Sequence, residues 1–221
     1  MIGDGNWCME SNGELECLKQ LVPASGPAVL FDVGANAGSW TTNAVKMFPD
    51  ASIYTFEPAE VSFPWRLQGT KNITLLPFGI DASPGLRVLH FWGNSELSSL
   101  VQRSPGGVDE TVICTSLDWI VKRFRIARVD YCKVDTEGNE LPAIIGAAES
   151  LRTGVIRHLQ FEYGGTWSDA GLRLKQVWDV LAQQGIPHRV YKVVPDGRMP
   201  THEWRDEYES YQYSNWLLSL E

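Results

Sequence analysis

The stretch Phe31-Asp32-Val33-Gly34-Ala35-Asn36-Ala37-Gly38, followed by Tyr54-Thr55-Phe56-Glu57-Pro58, decides how the rest of the chain is read. An apolar run ends in a loop of small residues that opens a helix, and a second apolar run ends in an acid. In a parallel α/β sheet two such loops lie side by side at the carboxyl ends of adjacent strands, where nucleoside ligands bind. The first loop lets backbone approach a ligand closely, and Glu57 offers acceptor oxygens to two ribose hydroxyls. Taken singly, Gly34 and Gly38 are as well explained by tight helix–strand packing, Asp32 by a helix cap and Glu57-Pro58 by a helix start. Their combination at this separation favours a nucleoside site.

Spacing says which nucleoside. A dinucleotide loop wants G-x-G-x-x-G, whose second glycine lets backbone meet a pyrophosphate at a helix N-terminus. The matching positions here are Gly34, Asn36 and Ser39, so the pattern fails at two of them. What stands instead is G-x-N-x-G from Gly34 to Gly38, the spacing of S-adenosylmethionine (SAM) loops with asparagine in the middle. Asparagine tolerates positive φ better than most non-glycine residues, so the exchange is mild. Asp32, Gly34, Ala35, Asn36 and Gly38 are then candidates for the amino-acid end of SAM, and Glu57 with Pro58 for the ribose.

Outward from this loop the chain alternates strand-like and helix-like segments, which predicts a parallel sheet with helices on both faces. Strands are expected over Ala28–Val33, Ser52–Phe56, Ile73–Phe78, Tyr131–Val134 and Ile156–Glu162, and an antiparallel terminal pair over Pro187–Val194 and Gln212–Leu218. Helices are expected over Gly38–Phe48, Ala59–Gln68, Leu117–Phe124 with Ser116 as cap, Glu140–Ser150 and Leu172–Gln184. Leu86–Trp92 and Glu110–Thr115 alternate with period two and read as an inserted hairpin, and Pro195–Ser210 reads as a polar, acidic loop. The sum is a mostly parallel, seven-stranded α/β sandwich of the Rossmann-like, class I methyltransferase kind, with an antiparallel terminal strand. Residues 1–27 stand apart as an N-terminal extension with one short helix, Glu14–Leu21, before the main domain of residues 28–221.

Bulk properties narrow the partners. A net charge of −8 argues against general nucleic-acid binding, which rests on Lys/Arg contacts to phosphate. The local cluster Lys122, Arg123, Arg125 and Arg128 reads as a solvated helix face. No apolar run is long enough to span a bilayer, and Met1–Trp7 is polar and glycine-rich, unlike a secretory leader. The four cysteines form no CxxC pair and show no metal spacing with the histidines, so a reducing cytoplasm is expected.

With these residues assembled, the sequence resembles the FkbM-type SAM-dependent methyltransferases. The family's D-V-G-A-N-x-G matches Asp32–Gly38, and its F-E-P matches Phe56-Glu57-Pro58. Its small-Ser-Leu element matches Ser98-Ser99-Leu100, and its T-x-L-D matches Thr115-Ser116-Leu117-Asp118. Its hallmark K-I-D-x-E-G-x-E is Lys133-Val134-Asp135-Thr136-Glu137-Gly138-Asn139-Glu140, and its late Q-x-E is Gln160-Phe161-Glu162. The resemblance covers about residues 28 to 218 and implies SAM as cofactor and methyl transfer as the activity.

The second motif places Lys133, Asp135 and Glu137 at the carboxyl end of a central strand, on the same rim as the SAM loop. Alternation sets Lys133 and Asp135 on one face, and a buried ammonium needs a carboxylate partner, here Asp135, Glu137, Glu140 or Glu162. Methyl transfer from a sulfonium to a hydroxyl needs the acceptor oxygen aligned and its proton removed. Asp135 and Glu162 are the candidates for that work, with Glu137 beside them, while Glu137 and Glu140 serve equally as helix caps. His90 and His202 are alternative bases. No metal is expected, although Asp135, Glu137 and Glu162 would offer oxygen ligands suited to Mg²⁺.

On the acceptor side, Trp92, Trp167, Trp204, Tyr163 and the Pro195–Ser210 loop are the aromatic candidates, while Trp40, Trp119, Trp178 and Trp216 read as core. The expected partner is a small-molecule or glycan acceptor, with a second copy of the chain as the expected assembly and neither nucleic acid nor membrane involved. Other reactions on this scaffold are carboxylate or nitrogen methylation, or SAM binding without catalysis.

Overall fold

Helix α1 (Glu14–Leu21) leads into β1 (Val29–Val33), α2 (Ser39–Met47), β2 (Ser52–Phe56) and β3 (Ile73–Leu76). A second, smaller sheet follows: β4 (Gly79–Ile80), β5 (Gly85–Trp92), β6 (Asn94–Ser99) and β7 (Val108–Thr115). The chain then returns through α3 (Leu117–Phe124) to β8 (Tyr131–Val134), α4 (Glu140–Ile145), α5 (Ala148–Arg152) and β9 (His158–Tyr163). It ends with α6 (Gly165–Asp169), α7 (Lys175–Gln184), β10 (Arg189–Val194), β11 (Gly197–Pro200) and β12 (Ser214–Ser219). The structure, a computed structural model, describes residues 5–24, 26–92, 94–102 and 107–220, without the side chains of 92 and 94–97.

The main sheet has the strand order β11-β10-β12-β9-β8-β1-β2-β3. Strands β9, β8, β1, β2 and β3 run parallel, and β12 inserts antiparallel between β9 and β10. From β1 the chain builds outward through β2 to β3, then comes back to β8 on the other side of β1. That reversal opens a crevice above the carboxyl ends of β1 and β8, where α/β folds bind ligands.

The structure departs from the sequence expectation in several elements. Ala59–Gln68 makes only a 3₁₀ turn, Trp65–Leu67, because Pro64 denies a donor in the middle of the segment. Glu140–Ser150 breaks into α4 and α5 at Gly146, where a Cβ would stand 2.2 Å from the Asp81 carbonyl oxygen. The Asp118 carboxylate then starts α5 by accepting from Glu149 N (3.0 Å) and Ser150 N (2.8 Å). Helix α6 and the later start of α7 replace the single helix expected from Leu172. Within Pro195–Ser210 the chain turns at Gly197 (φ +125°), and β11 pairs antiparallel with β10 as an eighth strand. Strand β6 extends the expected hairpin, whose β5–β7 pairing is antiparallel as anticipated.

Alternation along the strands feeds two cores. Phe31, Phe56, Val134, Phe161 and Trp216 pack on the face covered by α3, α4, α5 and α7. Leu30, Ile53, Tyr131 and Leu217 pack on the other with Trp40 of α2 and Leu18 of α1. Ser116 caps α3 as predicted, its Oγ accepting from Trp119 N at 3.2 Å. Trp40 and Trp216 are core as expected, but Trp119 is 41% exposed. Cys17, Cys114 and Cys132 are buried thiols and Cys8 is exposed. Among the described residues no helix is long and apolar enough to cross a membrane.

Candidate active site

A cavity of about 380 Å³ opens above β1 and β8. One wall is the loop after β1: Gly34, Ala35, Asn36 and Ala37. Glu57 and Pro58 close it at the end of β2, and Phe78, Gly79 and Ile80 beyond β3. The floor and opposite wall carry Lys133, Asp135, Thr136 and Glu137.

The loop has the backbone its spacing demands. Gly34 sits at φ +78°, Asn36 at φ +48° and Gly38 at φ +79°. Gly34 N and Ala35 N both donate to the Phe56 carbonyl at 3.0 Å, tying the two nucleoside loops together. A Cβ on Gly34 would stand 1.7 Å from the Asp135 carbonyl oxygen, so this loop and the end of β8 touch through backbone. Gly38 instead faces Leu67 and Pro64, and it is a packing glycine outside the cavity wall.

Glu57 accepts from Asn36 N (2.8 Å) through Oε2 and from Ala59 N (2.9 Å) through Oε1. Burial raises its pKa, and those two amides work against the rise. Each carboxylate oxygen keeps a second lone pair for a ribose hydroxyl. Asp32 is placed differently from expectation. It is fully buried beneath the loop and starts α2, Oδ2 accepting from Thr41 N (3.1 Å) and Thr41 Oγ1 (2.6 Å). Its Oδ1 is buried with no partner, and burial holds its pKa up.

The second motif folds as a tight turn. Glu137 takes φ +57° and Gly138 φ +107°, a costly conformation for a glutamate. Glu140, 1% exposed, holds that turn: it accepts from Thr136 N (2.8 Å), Thr136 Oγ1 (3.0 Å) and Gly138 N (3.1 Å). Ser99 Oγ adds a bond to the Glu137 carbonyl at 2.7 Å, which gives the Ser98-Ser99-Leu100 element its place. The result points Glu137 into the cavity beside Asp135.

Of the four carboxylates expected as partners for Lys133, Asp135 is the one that pairs with it, Nζ to Oδ2 at 2.9 Å. Glu162, from the neighbouring strand β9, joins them. Carboxylate oxygens of Asp135, Glu137 and Glu162 lie within 4.8 Å of one another. Burial first, then the charges of Asp135, Glu137 and Glu140, push the Glu162 pKa well above the usual carboxylate range. The structure therefore gathers all four residues expected for chemistry. His90 lies on β5, Nδ1 2.7 Å from Asp109 Oδ1, and neither it nor His202 lines the cavity.

The residues fit SAM: a glycine with no room for a Cβ, an asparagine at positive φ, a ribose-ready carboxylate and a negative rim for a cationic sulfonium. The sequence profile of the Methyltransferase FkbM domain matches residues 32–213. The chain belongs to the FkbM methyltransferase family. SAM is its cofactor. No curated protein sequence matches this FkbM methyltransferase. Among solved structures it is similar to the METTL16 methyltransferase domain, at 14% identity and TM-score 0.52, covering 91% of this chain and 64% of that one. The chain thus spans less than two-thirds of that relative's length. It is also similar to the plantazolicin methyltransferase BpumL, solved in complex with a monoazolic desmethylPZN analog and S-adenosylhomocysteine, at 10% identity and TM-score 0.52, covering 94% of this chain and 81% of that one. At these identities the likeness is one of fold.

The aromatic candidates of this FkbM methyltransferase need correction. Tyr163 and Trp167 are fully buried, their rings 5.4 Å apart, and belong to the core. Trp204 packs on Trp178 at 5.1 Å, closing an aromatic cluster with Tyr208 and Trp216 away from the cavity. The side chain of Trp92 lies outside the described residues. Trp7 and Met9, which the sequence reading passed over, line the cavity. Their segment carries no periodicity, so nothing in the sequence marked it.

Proposed function

We propose that this enzyme transfers a methyl group from SAM to a hydroxyl oxygen of a sugar, glycan or specialised metabolite. The supporting observation is that Asp135 and Glu137 line the cavity beside the cofactor loop, with the Glu162 carboxylate clustered within 4.8 Å of theirs. Gly34, Ala35, Asn36, Glu57 and Pro58 hold the cofactor, while Asp32 and Gly38 shape the loop from below. SAM supplies an electrophilic methyl group on a sulfonium. Glu162, a carboxylate whose pKa burial raises, is suited to take the hydroxyl proton. Asp135, pinned by Lys133, orients that hydroxyl, and Glu137 adds a second acceptor to fix the approach.

The test is transfer of labelled methyl from SAM into a panel of glycosides, phenols, carboxylic acids and amines. Label confined to hydroxyl-bearing compounds supports the reading. Label only in acids or amines moves the activity to another acceptor atom. Asp135→Asn should bind S-adenosylhomocysteine within about threefold of wild type, yet lose roughly 10²–10⁴-fold in turnover. Unchanged turnover removes Asp135 from its role. The carboxylate trio also favours a second reading, in which a divalent cation orients the acceptor oxygen. Activity that persists in EDTA dismisses it.

A further inference from the structure

The cavity is at the small end of the range of roughly 300–1,000 Å³ for ligand sites, so a cofactor occupies most of it. An acceptor must then meet the transferring centre from the mouth. The mouth is where Trp7 stands. Trp7 lines the cavity and yet is 75% exposed, an unusual surface position for an indole.

Its location is tied to β12, the strand that pairs with the Glu162-bearing β9. The Trp7 ring sits edge-on to Tyr213, with centroids 5.5 Å apart, and Gly5 N donates to the Tyr213 carbonyl at 2.9 Å. Tyr213 immediately precedes β12, whose Ser214 and Asn215 pair with Tyr163 and Glu162 of β9. The Tyr213 hydroxyl is held by Asn215 Nδ2 at 3.2 Å. Asn215 itself is anchored to the buried Glu14, through Nδ2 to Oε1 at 3.1 Å, and Glu14 also takes a bond from Gln160 at 2.9 Å. Residues 5–14 are therefore a strap fixed at both ends, and Trp7 is its exposed aromatic plate on the cavity wall, set against Tyr213.

We propose that Trp7 is the stacking surface for the acceptor, and that the acceptor is a pyranose-like polyol whose apolar face lies on the indole. The juxtaposition carries the chemistry: Trp7 as an aromatic plate for the C–H face, and the Asp135 and Glu137 carboxylates of the same cavity, with Glu162 clustered next to them, to accept from hydroxyls on the ring edge. This rests on the hydroxyl-methylation reading above and names its substrate class. A cofactor-covering role for Trp7 predicts the opposite pattern of effects.

The experiment compares wild type, Trp7→Ala and Trp7→Phe in two readouts. The first is calorimetric titration with S-adenosylhomocysteine. The second is saturation kinetics of labelled methyl transfer from SAM into the best-methylated member of a set of p-nitrophenyl glycosides. The Trp7→Ala enzyme should keep S-adenosylhomocysteine affinity within about twofold while KM for the glycoside rises roughly tenfold or more. Trp7→Phe should recover most of that loss, because it restores a flat ring. Weakened S-adenosylhomocysteine binding with unchanged glycoside KM overturns the proposal, as does no change in either. If wild type methylates phenols or other alcohols but no glycoside, the polyol class falls while hydroxyl methylation stands. If no hydroxyl accepts label at all, both fall.

Discussion

Gly34→Ala is expected to leave little protein that both folds and binds cofactor. The new Cβ would lie 1.7 Å from the Asp135 carbonyl oxygen and 2.8 Å from its carbonyl carbon. Both are backbone atoms, so no rotamer change relieves the clash. Alanine at φ +78° adds about 1–2 kcal/mol of its own. Either the loop after β1 or the turn after β8 has to move, and each carries half the site. The total cost is several kcal/mol, a large share of the roughly 5–15 kcal/mol that holds a domain together. Gly171→Ala is the control: φ is +68°, but nothing lies within 4 Å of where its methyl group would stand, so only the backbone strain remains, about 1 kcal/mol. Urea melts with calorimetric titration of S-adenosylhomocysteine separate the two. A Gly34→Ala protein with wild-type midpoint and affinity would refute the close approach.

Glu162→Gln should move activity and stability in opposite directions. Turnover falls by about 10²–10⁴-fold if the carboxylate takes the acceptor proton. The wild-type pH–rate profile should rise with pH on a limb set well above the usual glutamate range, and that limb should vanish in the variant. Stability follows from linkage. The folded state holds the Glu162 proton more tightly than the unfolded chain, so the benefit is complete near pH 4.5 and is lost as pH rises through the raised folded value. Glu140, pushed up to about 7 chiefly by burial, acts in the same sense between about pH 4.5 and 7, worth on the order of 3 kcal/mol. The enzyme should therefore melt at a lower temperature at pH 7.5 than at pH 5. Glu162→Gln should raise the pH 7.5 value by a few degrees, since it removes a charge the fold tolerates for function. A variant that is inactive and less stable at pH 7.5 would mark Glu162 as a brace instead of a base.

What the sequence made legible was whatever depends on local spacing. The glycine positions, the positive φ available to Asn36 and the acid ending β2 are short-range properties, and they predicted the loop that forms. Alternation in Lys133-Val134-Asp135 likewise put Lys133 and Asp135 on one face, and of the four candidate acids it is Asp135 that pairs, at 2.9 Å. Properties that depend on what another segment supplies were hidden. Glu140 organises the turn only because three donors from Thr136 and Gly138 fold back onto it. Asp32 reads as a ligand until Thr41 of the following helix claims one of its oxygens. Loop aromatics were the hardest case. Trp167 and Trp204 look the same in sequence whether they pack or face a ligand, and here they pack. Trp7 lies in a strap whose position is set by Tyr213 and by the Asn215–Glu14 contact, both far along the chain.

The crowded carboxylates have one more consequence, and it concerns exchange of the spent cofactor. Among the described residues lining the cavity, Lys133 is the one cation, against Glu57, Asp135 and Glu137. SAM carries a net positive charge, and S-adenosylhomocysteine, having lost the sulfonium, carries none. The same wall that attracts the incoming molecule thus loses its hold on the outgoing one at the moment the methyl leaves. The affinity ratio between the two should narrow as ionic strength rises, because salt weakens the attraction for the charged partner alone. Turnover would then be driven forward by a change of charge, with no movement of the fold required.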